Sequence, residues 1–128
     1  MDQNPLSVLY VEDDPDIRLV TEMALEDEGF DLIFCNSGQE ALEKCTQFNP
    51  DLLLLDVMMP GLNGPETLQK LRENAHLKET PVIFMTAKIQ SAEIEKYEAM
   101  GALGVISKPF DPLTLADQLH ELLKGKNA

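Results

Sequence analysis

The stretch LLLLDVMMPGLNGPE, from Leu52 to Glu66, decides how the rest of the chain is read. Its leucines show no polar alternation, so residues 51–56 read as a strand buried on both faces, the pattern of a parallel sheet. The strand stops on a carboxylate, Asp56, and passes at once into a loop holding Pro60, Gly61, Gly64 and Pro65. Gly61 and Gly64 are expected to permit positive φ there. Pro65 can open the helix that follows, with Leu68 and Leu71 on its apolar side. A strand held on both faces is a rigid mount, and a carboxylate at its tip has little freedom.

Working outward, short apolar runs alternate with helical patterns. LSVLYVE (6–12) reads as a strand, followed by a helix with Asp14 as N-cap, Pro15 in its first position, Ile17, Val20 and Ala24 on one face, and Gly29 as its stop. FDLIFC (30–35) is a second strand. Ser37 and Glu40 then suit a capping box for a helix to about Gln47, with Ala41, Leu42 and Cys45 inward. PVIFMTA (81–87) is the fourth strand; the next helix is capped by Ser91 and ended by Gly101. ALGVISK holds the fifth strand, and Asp111 caps a last helix with Leu113, Ala116, Leu119 and Leu123 facing in. Such β–α succession predicts an α/β fold: a parallel sheet between two layers of helices, in a single domain over 1–128 with its core at about 6–123 and a short tail at 124–128.

Composition narrows the function. The 128 residues carry a net charge of −13, a poor match for phosphate-rich nucleic acid as a direct partner. The N-terminal residues have no basic, apolar leader, and no apolar run reaches the roughly 20 residues needed to insert into a membrane. Cys35 and Cys45 offer no disulfide framework, which points to a reducing, cytoplasmic setting.

The polar residues fall in a pattern. Ligands of open α/β sheets bind where parallel strands end. At the ends of the first, third, fourth and fifth strands stand Glu12-Asp13-Asp14, Asp56, Thr86 and Lys108. Two carboxylates about 4 Å apart repel by roughly 4 kcal/mol at an effective dielectric near 20, so a cluster of acids calls for a cation. Oxygen-only ligation suits Mg²⁺. A phosphoryl group could then be accepted by Asp56, with Lys108 neutralising one of its oxygens and the Thr86 hydroxyl donating to another. Taken singly, each residue is as well explained as a cap, a strand residue or a surface lysine; the four strand ends together point to a site.

The segments VLYVEDDPDIR, LLLLDVMMPGLNG, PVIFMTA and ISKPF, in that order and spacing, resemble the receiver domain of bacterial two-component response regulators over about residues 6–123. The resemblance implies a flavodoxin-like (βα)5 sandwich with strand order 2-1-3-4-5. It implies Asp56 as phosphoacceptor, Asp13 as a direct Mg²⁺ ligand, Glu12 acting through water or the lysine, and the Met58 carbonyl as a further ligand. Thr86 matches the switch hydroxyl and Lys108 the phosphate-binding lysine, with a cis bond before Pro109. The implied donor is a phosphohistidine on a histidine kinase or phosphotransfer protein. The implied output is the helix 4–strand 5–helix 5 surface, about 91–123 and including Tyr97, read by an unidentified downstream effector. The chain would be a monomer before phosphorylation, catalysing its own phosphorylation and dephosphorylation and not turning over a small molecule.

Departures from the family leave alternatives. Many receivers carry Tyr or Phe three residues before the lysine, where this chain has Val105, which cannot make the swing of an aromatic ring. That weakens the usual switch and gives weight to a binding module controlled without phosphate. Met58 and Lys88 stand where relatives vary and tune dephosphorylation; Met58 can shield an acyl phosphate or be a plain loop residue. Asn63 replaces a frequent aspartate, with little consequence expected. His76 and His120 read as surface residues away from the cluster. An aspartyl phosphatase would want a second aspartate at position 58, and a calcium loop would want a glycine and a distal glutamate; both are missing.

Overall fold

A computed structural model describes residues 5–87 and 90–126, the side chain of Lys126 excepted. Five parallel strands, β1 (Leu6–Val11), β2 (Phe30–Cys35), β3 (Leu52–Asp56), β4 (Val82–Thr86) and β5 (Ala102–Ser107), form one sheet in the order β2-β1-β3-β4-β5. The helices are α1 (Pro15–Leu25), α2 (Gly38–Lys44), α3 (Gly64–Leu71), α4 (Ser91–Ala99) and α5 (Leu115–Lys126). This is the three-layer flavodoxin-like sandwich that the sequence predicts.

The leucine run shows why the sheet is sandwiched. Successive side chains of a strand alternate between faces. Leu53 and Leu55 join a core with Ala41 of α2, Cys45 just after it, Leu68 and Leu71 of α3, and Tyr97 of α4. Leu52 and Leu54 join the opposite core, with Leu25 of α1 and Leu115, Ala116 and Leu119 of α5. All four leucines are fully buried, and each deletion to alanine would forfeit roughly 2–5 kcal/mol. β3 pairs with β1 on one side and β4 on the other, so Asp56 ends the middle strand of the sheet.

Several local expectations need correction. α1 ends at Leu25 and not at Gly29, because the chain turns through Asp27 (φ 61°) before Gly29 (φ 91°) opens β2. Its buried positions are Thr21 and Leu25, while Val20 is 40% exposed. The Thr21 hydroxyl accepts from the Tyr10 hydroxyl at 2.9 Å and donates to the Ile17 carbonyl at 2.8 Å, so a satisfied polar pair holds the inward face. Glu40 does not complete a capping box on Ser37; its carboxylate accepts from the Asn36 N–H instead. Ser91 is the first residue of α4, and the Gln90 side chain makes no cap bond. Leu113 is 90% exposed, because Asp111 folds residues 112–114 into a turn by accepting from the Leu113 N–H, and α5 starts only at Leu115. Cys35 and Cys45 are buried free thiols, and burial pushes the Cys35 thiol up to about 11, away from reactivity.

Candidate functional site

Each candidate residue stands where a parallel strand runs out. β1 delivers Glu12 and Asp13, and Asp14 caps α1 by accepting from the Asp16 N–H at 2.8 Å. β3 delivers Asp56, β4 delivers Thr86, and Lys108 follows β5 directly. The Lys108 N–H donates to the Thr86 carbonyl at 3.0 Å, which continues the β4–β5 ladder one step into the site. The Lys108–Pro109 peptide is cis, as the resemblance implies.

The side chains converge. The Lys108 ammonium donates to Asp56 Oδ1 at 2.9 Å and to Glu12 Oε1 at 3.2 Å. Glu12, Asp13 and Asp56 each bring a carboxylate oxygen into one group whose members lie within 4.8 Å of one another. Glu12 and Asp56 are each 1% exposed and Thr86 is 2% exposed, whereas Asp13 faces solvent. Lys108 thus reaches from β5 into a buried pair of acids while its stem lines the outer wall.

Two buried acids share one cation, and the charge does not balance. Burial, then the neighbouring Asp56 carboxylate, push Glu12 up to about 7. Burial also raises Asp56, against the pull of Lys108. Lys108 lies closer to Asp56, at 2.9 Å, than to Glu12, at 3.2 Å, so its charge favours ionisation of Asp56 more. Burial disfavours the charge on Lys108, but Asp56 and Glu12 outweigh it and keep the ammonium charged beyond its ordinary range. An all-oxygen cluster with too little positive charge fits a hard divalent cation such as Mg²⁺.

The loop after Asp56 is held by contacts the sequence did not disclose. Asn63 is the N-cap of α3, in a reciprocal capping box with Glu66. Gly61 has φ +76°, as expected, but Gly64 does not have positive φ. Gly64 is required by close approach, because a Cβ there would lie 2.5 Å from the Asp56 carbonyl oxygen and 3.0 Å from Val57 Cα. Gly64→Ala is expected to cost about 1–3 kcal/mol of stability by urea unfolding, because the clash falls on the backbone of Asp56. An unchanged urea midpoint would contradict this.

Other expected positions fall as follows. Met58, two residues past Asp56, is 63% exposed. Lys88 lies outside the described residues. Val105 is half-buried and packs on the α2–α3–α4 core. The histidines lie away from the acids, but His120 is not a plain surface residue: it stacks on Phe30 at 4.5 Å and its Nε2 lies 2.9 Å from the Glu28 carbonyl. His76 Nε2 lies 3.0 Å from the Cys45 carbonyl. A groove of about 440 Å³ opens beside Lys108, walled by Ile17, Val20, Pro109 and Phe110 with Asp16 on its rim. Proximity of α1 to the loop after β5 was not legible from periodicity.

Comparison with known proteins agrees with this geometry. Residues 8–120 match the response regulator receiver domain family. The chain is 40% identical over 116 residues to a probable transcriptional regulator, ycf29, of Pyropia yezoensis, covering 91% of this chain and 52% of the relative. It is 39% identical over 126 residues to the transcriptional regulatory protein ResD of Bacillus subtilis, covering 97% and 51%. The chain thus spans about half the length of such curated relatives. The solved structure of the Vibrio cholerae chemotaxis protein CheY4 superposes with a TM-score of 0.85 at 31% identity, over 92% of this chain and 98% of that one. With its acids and lysine gathered at the sheet edge and the match running almost end to end, the chain belongs to the receiver domain family of two-component response regulators.

Proposed function

We propose that the chain is a phosphoacceptor switch that takes a phosphoryl group onto Asp56 from a phosphohistidine of a histidine kinase or phosphotransfer protein, in a Mg²⁺-dependent reaction. The observation that carries this reading is the Lys108 ammonium 2.9 Å from Asp56 Oδ1, inside a ring of carboxylates. A carboxylate oxygen of Asp56 forms the new P–O bond while the P–N bond to the donor imidazole breaks, the bonding pair leaving with the nitrogen. Lys108 neutralises a phosphoryl oxygen, and Thr86 at the tip of the next strand donates to another. Asp13, Asp56 and the Met58 carbonyl would hold Mg²⁺, with Glu12 acting through water or Lys108, and the bound ion would offset charge on acceptor and phosphoryl group alike. Water later hydrolyses the acyl phosphate, so the chain acts on itself and is not a turnover enzyme for a small molecule.

The groove of Ile17, Val20, Pro109 and Phe110 adjoins Lys108 and is the natural seat for the donor protein. Phosphorylation changes the Asp56 side chain from −1 to about −2. The expected readout is the α4–β5–α5 face, recognised by a downstream effector protein. The unphosphorylated chain is a monomer in the cytoplasm, without direct nucleic-acid contact and without membrane insertion; no helix among the described residues is long and apolar enough to cross a membrane.

Intact-mass measurement after incubation with an acyl phosphate or phosphoramidate tests the reading. One labile phosphoryl group should be gained with Mg²⁺ and none with a chelator. Absence of label from small donors and from histidine kinases alike would favour a binding module that works without phosphate.

A further inference from the structure

α4 is seated by very little. Tyr97, 4% exposed, is the one residue of this helix that is buried. The side chain of its N-cap residue, Gln90, makes no cap bond. The Tyr97 hydroxyl donates to Glu93 at 3.3 Å, a bond within the same helix that ties it to nothing else. The Tyr97 ring packs on Phe84 of β4, with centroids 5.1 Å apart, in a cluster that also holds Ala102 and Val105 of β5. Phe84 pairs in register with Val105 and lies two residues before Thr86, so Phe84 and Thr86 share a face of the strand. A groove of about 570 Å³ between α3 and α4 is lined by Tyr97 together with Val57 and Met58, the residues directly after Asp56. The ring therefore has a packed seat and an adjacent open space, and a helical tyrosine has two favoured χ1 rotamers between which to move. Val105, branched at Cβ, has no comparable freedom.

We propose that Tyr97 is the relay between the acceptor site and α4: seated on Phe84 when Asp56 is bare, and swung into the α3–α4 groove when Asp56 carries a phosphoryl group. This rests on the reading of Asp56 as acceptor. A bond from Thr86 to the phosphoryl group draws the tip of β4 toward β3, and Phe84 moves with it. The contact that seats α4 is then lost, and the helix is released at its buried point. Tyr97 is a positioning residue in this scheme, and the Tyr97 seat opposes the phosphorylated state. By reciprocity, removing the seat must favour that state.

Hydrogen exchange of residues 91–99 in the full chain, with and without Mg²⁺ and beryllofluoride as phosphoryl mimic, tests the relay. In the unaltered chain the mimic should speed exchange of α4 about fivefold or more. In Tyr97→Ala, α4 should exchange fast from the start, the mimic should add less than about twofold, and beryllofluoride should bind about threefold or more tightly. Tyr97→Phe should behave as the unaltered chain. Should the alanine variant fail to fold, Tyr97→Leu is expected to shift both readouts in the same direction. A substituted chain with unaltered beryllofluoride affinity and an unaltered α4 response overturns the relay alone, as does binding to the parent chain with α4 silent. No binding of beryllofluoride to the parent chain overturns the acceptor reading and the relay with it.

Discussion

Asp56→Asn is expected to abolish phosphoryl uptake from every donor and, in the absence of Mg²⁺, to make the chain more stable at pH 7. The first effect follows because a carboxamide is no nucleophile for phosphorus. The second follows from the charge imbalance around Lys108. Burial and the Asp56 carboxylate raise Glu12 from the ordinary 4.5 to about 7. The folded chain therefore binds a proton between those values that the unfolded chain has released. Stability is full below the lower value and falls as pH rises toward the upper one, by up to about 1.4 kcal/mol per pH unit and about 3 kcal/mol in total. An asparagine still accepts from Lys108 but adds no charge, so Glu12 can ionise against an unshared ammonium. Burial, the larger cause, remains, so the relief is partial. Urea midpoints in chelator at pH 5, 6, 7 and 8 should show a steep fall for the parent chain and a shallower one for the variant, with a gain of about 1–2 kcal/mol at pH 7. A variant no more stable than its parent at pH 7 would contradict this.

The fold was legible because β3 and β4 carry unbroken apolar runs, which only a sheet covered on both faces can bury, and because turn and cap residues stood between them. The site was legible for a related reason. Glu12, Asp56, Thr86 and Lys108 are polar residues directly after apolar strands, and parallel strands bring such residues to one edge whatever lies between. What stayed hidden depends on contacts between distant segments. Nothing local marks Thr21 as buried, since its partner Tyr10 lies on another element. The exposure of Val20 follows from the same pairing. Leu113 has the right spacing for α5, but Asp111 spends its side chain on a turn that starts the helix late. Gly64 reads like any loop glycine until the Asp56 carbonyl is found against it. Periodicity gives the residues that share a face; it does not give which face another element will cover, and α4, with one buried residue, is where that gap is widest.

Lys108→Met should slow phosphoryl uptake about as severely as losing a main electrostatic clamp does in other transfer sites, by roughly 10²–10³-fold, yet move stability in the direction opposite to Asp56→Asn. Methionine keeps an apolar stem in the wall beside Pro109, so packing changes little. What is lost is the ammonium that contacts both acids, at 2.9 and 3.2 Å. Glu12 and Asp56 are then left buried without a cation, a state that costs about 3 kcal/mol when one partner of a buried pair is removed. Protonation is the available relief, so the loss should be largest in chelator at pH 7 and above, and should shrink toward pH 5 as the acids take up protons. Mg²⁺ should restore part of it, because the ion supplies positive charge to the same oxygens. The two single variants thus share a defect in phosphoryl uptake and part company in urea midpoint. The double variant Asp56→Asn with Lys108→Met should recover part of the stability lost by the lysine change alone, since a single buried acid remains. Equal destabilisation by both single changes, or a lysine variant whose midpoint does not depend on pH, would mean that the ammonium does not compensate the buried carboxylates, and the electrostatic account of the site would fail.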